Sequence, residues 1–299
     1  MTGPVRLRQP VERVSRVAPL GVRFRDTVTG ADVAGLTVEA WPAGQRHRRI
    51  SAVSTAAKVY GWVDLPGVRD RTFGAGDDAY WSSALPPLSY IVDVVDHAGR
   101  FLPFRFTARA PARGIWRWTC DGDTSPFDAQ GAVPLYSAPS RVPPAATAVI
   151  RAELYDVDAE RPAAWAVVAA RSGRRVIGRG MTDSEGRLLL LAPYPEPVPP
   201  PLGVASGSPP GNTRVPLWLQ VWPVQLDVSY GVRAGDMSNE PPDLCEALRQ
   251  APALAWDDDA RRAVLGTLEL RYGEELQVRS RGNPRGRLLV TRTDGGSPP

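Results

Sequence analysis

Residues able to carry acid–base or covalent chemistry are few and scattered in this sequence of 299 residues. The two histidines, His47 and His97, stand in different local contexts, a basic loop and a predicted hairpin turn. Neither has a zinc-site spacing such as H-E-x-x-H, and the chain contains no G-x-S-x-G nucleophile elbow and no glycine-rich phosphate loop. We therefore predict a protein that is not an enzyme and that holds no cofactor.

The carboxylates form three short clusters, at Asp77-Asp78, Asp121/Asp123 and Asp257–Asp259. A calcium site needs six to eight oxygen ligands that converge from a tight loop. The segment that begins at Asp121 has the start of such a loop, but no acidic residue stands where an EF-hand is closed. We interpret all three clusters as turn or helix-capping residues and predict no metal site.

Cys120 and Cys245 are the two cysteines, and they lie far apart in the sequence. They could form one disulfide, but a reduced pair in the cytosol is the favoured interpretation. The N-terminal residues contain arginines without the apolar core of a signal peptide, and no run of 18 apolar residues predicts a membrane span. These features predict a protein located in the cytoplasm, or released as part of an extracellular particle.

The charge balance argues against a nucleic-acid partner. The formal net charge is +4, from 36 basic and 32 acidic residues, and Lys58 is the single lysine. The arginines are spread along the chain and form no basic stripe with interleaved aromatic residues. The excess of arginine over lysine is more typical of a GC-rich bacterial genome than of phosphate binding.

Residues 20–68 contain alternating apolar runs separated by turn-forming residues, which is the pattern of β-strands. A weaker copy follows: an offset of 130 aligns Asp26 with Asp156 and Val38 with Val168, and an offset of 125 aligns Gly61 with Gly186. The 28 glycines and 31 prolines also favour turn-rich structure over long helices. The predicted fold class is mainly β, with two tandem β-sandwich domains, proline-rich connectors and one short helical region near the C-terminus.

Shifts in composition give the predicted domain boundaries. These are an N-terminal arm at 1–18, a first sandwich at 19–110, a connector at 111–147, a second sandwich at 148–293 and a disordered tail at 294–299. The second sandwich carries a proline-rich insertion at 192–216 and a helical region at 240–265. Within that region, Asp243 and the cluster Asp257–Asp259 each suit a helix N-terminus.

The pattern D-x-x-T-G-x-x-V-x-G-L-x-V at Asp26–Val38, followed by a strand that closes in Leu65-Pro66-Gly67, resembles carboxypeptidase regulatory-like and transthyretin-like β-sandwiches. This resemblance implies a transthyretin-like or immunoglobulin-like sandwich. Nothing like the H-x-x-E zinc ligands of the carboxypeptidase catalytic domain is present. The resemblance therefore implies a fold and no hydrolytic activity.

A second resemblance rests on Asp70–Trp81 and Tyr90–Trp118, above all on the block GRFLPFRFTARAPARGIW. The block is similar to carboxypeptidase regulatory-like proteins that accompany phage-tail-like contractile injection systems in bacteria. It implies a structural accessory at the cap, baseplate or tube of such a particle. The implied partners are sheath, tube or baseplate proteins. Contact between copies of this chain within the particle is an additional possibility.

Three groups of residues are predicted interface candidates. They are Val11 and Val14 in the arm, the aromatic loop residues Phe73, Tyr80 and Trp81, and the segment Trp116, Arg117 and Trp118. Two of these groups have an alternative interpretation: an unstructured terminus for the arm, and core-capping tryptophans for the last group. The main hypothesis is a structural or adaptor subunit of an assembly. The alternatives are a free carbohydrate- or peptide-binding module that uses the aromatic loop, and an enzyme whose site lies between the domains.

Overall fold

The computed structural model describes residues 18–68, 86–120, 131–197, 216–231 and 240–293. Strands dominate these residues, so the prediction of a mainly-β fold is confirmed. The first half forms two four-stranded sheets, in the orders β4-β5-β1-β8 and β3-β2-β6-β7. Their strands are β1 (Leu20–Asp26), β2 (Thr37–Pro42), β3 (Ile50–Ser51), β4 (Val53–Ser54), β5 (Val59–Trp62), β6 (Leu88–Val95), β7 (Phe104–Ala110) and β8 (Val133–Leu135).

The second half pairs its strands into one ten-stranded network. Its path runs β10-β9-β18-β15-β14-β11-β12, with β13 and β17 also on β9 and β16 on β14. The strands are β9 (Thr147–Asp156), β10 (Arg161–Pro162), β11 (Val167–Ser172), β12 (Arg175–Met181), β13 (Arg187–Pro193), β14 (Val221–Ser229), β15 (Pro252–Ala255), β16 (Leu268–Arg271), β17 (Glu275–Val278) and β18 (Leu288–Arg292). One short α-helix, α1 (Leu244–Leu248), interrupts them.

Strand pairing repeats between the halves as the sequence predicts. Asp26 pairs in parallel with β8, and Asp156 pairs in parallel with β18. Val38 pairs with a residue of β6, and Val168 pairs with a residue of β14. The offset of 125 is wrong. Leu20 pairs with Trp62, and its counterpart Ile150 pairs with Leu190, so Trp62 corresponds to Leu190 and not to the residue 125 positions later. The domain boundaries themselves stay predictions.

Two clusters of buried apolar side chains form the core. The first centres on strands β1, β5, β6 and β7, yet it also includes Trp165, Met181 and Leu244 from the second half. The predicted connector, 111–147, contains a short strand, since Val133–Leu135 forms β8. All three β8 residues are buried, because the strand adds to the edge of β1.

The second predicted helix, after Asp257–Asp259, is wrong. The Asp257 amide donates to Ala263 O at 2.9 Å, and Arg261 has φ +55, so the chain forms a turn. Just before it, the Trp256 amide donates to Leu289 O at 2.9 Å. The first helix start is confirmed, since the Asp243 carboxylate accepts hydrogen bonds from the first amides of α1.

The prediction of a reduced cysteine pair is also wrong, because Cys120 and Cys245 form a disulfide with their Cα atoms 5.4 Å apart. Helix α1 brings Cys245 to this position, since Leu244 and Ala247 are fully buried in the first cluster. A sequence separation of 125 residues gives no sign of this proximity.

Strands β12 and β13 approach each other closely at Gly178. A Cβ atom there would lie 2.7 Å from the Ala192 Cβ and 3.0 Å from the Leu191 carbonyl oxygen. Gly178→Ala is therefore expected to lower the free energy of unfolding by about 1–3 kcal/mol, measured by urea denaturation. The control is Gly266→Ala, where a Cβ would meet nothing within 4 Å. Equal stability of the two variants would contradict the expectation.

Candidate interaction surface

In the Trp116-Arg117-Trp118 segment, Trp118 belongs to the core and Trp116 is partly buried against it. Trp118 is 1% exposed, and the ring of Trp116 stacks on Phe106 with centroids 5.6 Å apart. The Trp116 amide donates to Gly21 O at 2.7 Å, which holds the segment against β1. Trp118 as an exposed anchor is therefore a wrong prediction, and the core-capping alternative is confirmed for it. Arg117 is exposed.

The other interface candidates, Val11, Val14, Phe73, Tyr80 and Trp81, lie outside the described residues. Of the carboxylate clusters, only Asp257–Asp259 is described. Asp257 forms an ion pair with Arg281, and Asp258 accepts a hydrogen bond from the Arg262 amide. This cluster therefore holds a turn together, as expected.

His47 lies in the exposed 3-10 helix Arg46–Arg48, and His97 lies in the turn between β6 and β7. Within the described ranges, no group of three or more histidine, cysteine, aspartate or glutamate side chains could hold a metal ion. These positions bring neither histidine into a catalytic arrangement with a cysteine, since both cysteines are disulfide-bonded.

An open cleft of about 650 Å³ contains Arg151, Glu153, Asp183 and Arg187. Arg151 pairs with Glu275 at 3.0 Å, and Asp183 pairs with Arg187 at 2.9 Å. Glu153 forms an ion pair with Arg287. Because these charges satisfy one another, we interpret the cleft as structural.

The clearest interaction surface is an exposed apolar segment, the Trp218 patch, which consists of Leu217, Trp218, Leu219 and Val221. Their exposed fractions are 45%, 75%, 62% and 38%, respectively. The first three form a 3-10 helix, Leu217–Leu219, that has no buried residue. Such a concentration of exposed apolar area on one short segment marks a contact site more often than scattered single residues do.

Neighbouring residues fix the outward direction of the patch. Gln220 is 3% exposed, and its amide donates to Leu217 O at 3.0 Å, which closes the helical turn. The second residue of β14, Trp222, is 2% exposed and donates from Nε1 to Glu196 O at 2.9 Å. Buried residues on the C-terminal side thus anchor the exposed turn.

An aromatic groove of about 600 Å³ lies at the start of β14. Its wall includes Tyr194, whose ring centroid lies 5.3 Å from that of Trp222 and 4.8 Å from that of Tyr272. The Tyr194 hydroxyl accepts a hydrogen bond from the Gly273 amide at 2.9 Å. The groove is also lined by four prolines, Pro193, Pro195, Pro197 and Pro223.

The sequence does not single out the Trp218 patch, although a usable signal is present. Leu217, Trp218 and Leu219 are three successive apolar residues immediately after a proline. In a strand with a period of two residues they could not all face one core. Such a run beside an alternating strand is a sign of exposed apolar surface.

Comparisons with known proteins identify no family. No protein-family model matches the chain, and no curated protein matches it. Among solved structures, the Bacillus anthracis TIE protein is similar over 93% of this chain and 33% of its own, with 7% identity and a TM-score of 0.23. The chain thus spans about a third of that protein. The shaft pilin SpaA from Lactobacillus rhamnosus GG is similar over 94% of this chain and 98% of its own, with 7% identity and a TM-score of 0.22.

At TM-scores this low, we draw nothing from these two similarities.

None of the helices in the described part of the chain has the length and apolar character needed to span a bilayer.

Proposed function

We propose that this chain is a non-enzymatic structural subunit of a multi-protein assembly that contacts a neighbouring protein through the Trp218 patch. The supporting observation is the concentration of exposed apolar side chains. Four of the eight large hydrophobic residues exposed in the described part of the chain lie at positions 217–221. Tryptophan is among the residues most enriched at binding hot spots, and Trp218 is the most exposed member of the patch.

The rest of the described chain fits a rigid support for such a contact. The first core cluster includes side chains from both halves, and the disulfide joins the two halves covalently. A contact surface on a stiff support loses less conformational entropy on binding than one on a flexible support. We therefore interpret the sheets as the frame that presents the patch.

The assembly that we propose is a phage-tail-like contractile injection particle, with this chain at the cap, baseplate or tube. Support comes from the block Gly99–Trp116, which resembles carboxypeptidase regulatory-like proteins that accompany such particles. Phe101, Phe104 and Phe106 in that block are buried, so the resemblance concerns residues that pack the β6–β7 hairpin into the core. We propose that the chain functions in a released particle, where oxidising surroundings would preserve the disulfide.

The aromatic groove favours a second candidate, a free peptide-binding module. Proline-rich peptides in the polyproline II conformation dock in grooves lined by aromatic side chains. The exposed part of the Tyr194 ring would be the platform in that case. Binding would then require no assembly, and the isolated chain would bind a peptide in solution.

Trp218→Ala tests the proposed subunit. Because the side chain is 75% exposed, the variant is expected to keep its stability within about 0.5 kcal/mol. Loss of a hot-spot tryptophan is expected to reduce recovery of the neighbouring subunit by about 30-fold. The measurement is quantitative mass spectrometry of proteins that co-purify with the tagged chain in constant ratio.

Val142→Ala is the matched control for this experiment. Val142 is 84% exposed, and no other large hydrophobic residue near it in the described sequence is exposed. Its variant is expected to recover the same partners as the unmodified chain. Equal recovery by Trp218→Ala would contradict the proposed contact.

A further inference from the structure

The connection between β14 and β15 includes residues 240–250, which lie against the first half. At its base, the Tyr230 amide donates to Ala251 O and the Gly231 amide donates to Gln250 Oε1, both at 2.9 Å. We name its described portion, residues 240–250, the latch.

The latch covers the edge of strand β7. This strand is the last in the order β3-β2-β6-β7, and an uncovered edge offers free amide and carbonyl groups to other strands. The Arg105 amide in β7 donates to Pro242 O in the latch at 2.7 Å. Arg105 also forms a parallel bridge with Asp243, so the latch adds one short strand-like step to the sheet.

Noncovalent contacts hold the latch at both ends and in its centre. Glu240 pairs with Arg46 at 2.7 Å and also with Arg105. Leu244 and Ala247 are fully buried in the first core cluster. At the far end, Gln250 donates from Nε2 to Trp165 O at 2.7 Å.

The disulfide adds a covalent lock to these contacts. It joins Cys245 in the latch to Cys120, which follows the core residue Trp118. While this bond is intact, the latch cannot leave β7 unless the segment around Cys120 also unfolds. When the bond is broken, only the noncovalent contacts oppose a local opening.

We propose that the Cys120–Cys245 disulfide is a redox-sensitive lock that controls access to the edge of β7. In the oxidised protein the latch stays on the edge strand. In the reduced protein the latch opens locally, and the outer amide and carbonyl groups of β7 become exposed to solvent. The protein would thus have an open-edge form in reducing surroundings and a closed form in oxidising ones.

The reductant is a dithiol, which breaks the bond by thiol–disulfide exchange. Its thiolate attacks Sγ of Cys245, because Cys245 is half-buried whereas Cys120 is only 7% exposed. The new mixed disulfide releases the Cys120 thiolate, which takes up a proton. The second thiol of the reductant then displaces Cys245, so both cysteines end as thiols and the dithiol ends as a cyclic disulfide.

Amide hydrogen exchange of the full chain, with and without dithiothreitol, tests the lock. Removal of a disulfide constraint of typical strength is expected to raise the exchange rate of the Arg105 amide by about 30-fold or more. The internal reference is the Leu154 amide in the second half, which donates to Gly186 O at 2.8 Å. Its rate is expected to change by less than about threefold, since local opening leaves distant amides protected.

Two outcomes would overturn the proposal. An unchanged rate at Arg105 after complete reduction means that the disulfide does not control the latch. Parallel acceleration at Arg105 and Leu154 means that the bond only stabilises the whole fold.

Glu240→Ala provides a second measurement that leaves the disulfide in place. The exposed carboxylate of Glu240 forms ion pairs with Arg46 and Arg105 at the surface, so the variant is expected to fold. Faster exchange at Arg105 is expected in its reduced form, compared with the reduced unmodified chain, and no change in its oxidised form. Equal acceleration in both redox forms would overturn the lock.

Discussion

Arg141→Ala is expected to lower the free energy of unfolding by about 3–5 kcal/mol. Arg141 donates from Nη1 and Nη2 to the two oxygens of Asp26, at 3.0 and 2.7 Å, and both side chains are less than a tenth exposed. The same guanidinium donates to Ser137 Oγ and lies over the ring of Phe101. Removal of Arg141 leaves the Asp26 carboxylate buried without its charge partner. An uncompensated buried charge strongly destabilises the folded state.

Urea denaturation measures this effect, and Arg271→Ala is the control. Arg271 pairs with Glu269 at 3.2 Å, but both side chains are more than half exposed. Solvent-exposed pairs contribute only about 0–1 kcal/mol. Similar losses for the two variants would contradict the structural role that we assign to the Asp26–Arg141 pair.

The pH dependence of stability gives the same pair a second readout. Burial alone would raise the pKa of Asp26, but hydrogen bonds from Arg141, Val28 and Thr29 outweigh it and lower the pKa below its ordinary value. The folded pKa is therefore below the unfolded one. The resulting stabilisation is present above the unfolded pKa and is lost as the pH falls through the folded pKa. In Arg141→Ala this loss of stability on acidification is expected to shrink.

Trp118→Ala is the second large effect, with an expected loss of about 3–5 kcal/mol in the free energy of unfolding. The side chain is 1% exposed and packs in the first core cluster, so truncation leaves a cavity. The Trp118 amide also donates to Gly131 O at 3.1 Å, which keeps the truncated site from collapsing freely.

Arg117→Ala is the adjacent control, because Arg117 is exposed. Its effect on the free energy of unfolding is expected to stay within about 0.5 kcal/mol. Thermal or urea unfolding of both variants decides between a core role and a contact role for this segment. A stable Trp118→Ala protein that no longer binds its partners would contradict the core role.

Local patterns predicted the strands well. Apolar alternation places Val38 and Val168 in equivalent strands, and the turn Asp96-x-x-Gly99 joins β6 to β7 as expected. The Asp96 carboxylate accepts a hydrogen bond from the Ala98 amide, and Gly99 has φ +66, a conformation that glycine adopts without strain. Such turns depend on a few successive residues, so the sequence contains the whole signal.

Features that depend on distant partners were not predictable in this way. The acidic run at Asp257 fits a helix start, but the backbone of Trp256 pairs with Leu289, far along the chain. The disulfide depends on where α1 packs, which its own residues do not reveal. Trp118 is buried and Trp116 is partly buried because backbone hydrogen bonds to Gly131 and Gly21 hold their segment against the first core cluster. A Trp-Arg-Trp run by itself is equally compatible with an exposed contact.

Native purification tests the central claim, that this chain is a subunit of an assembly. The chain is tagged at Pro299, the host is lysed gently, and the eluate is studied by negative-stain microscopy and mass spectrometry. We expect rod-shaped particles in which the chain accompanies sheath and tube proteins in constant ratio. Elution of the chain alone, near its own mass of 32.3 kDa, would contradict the proposed function.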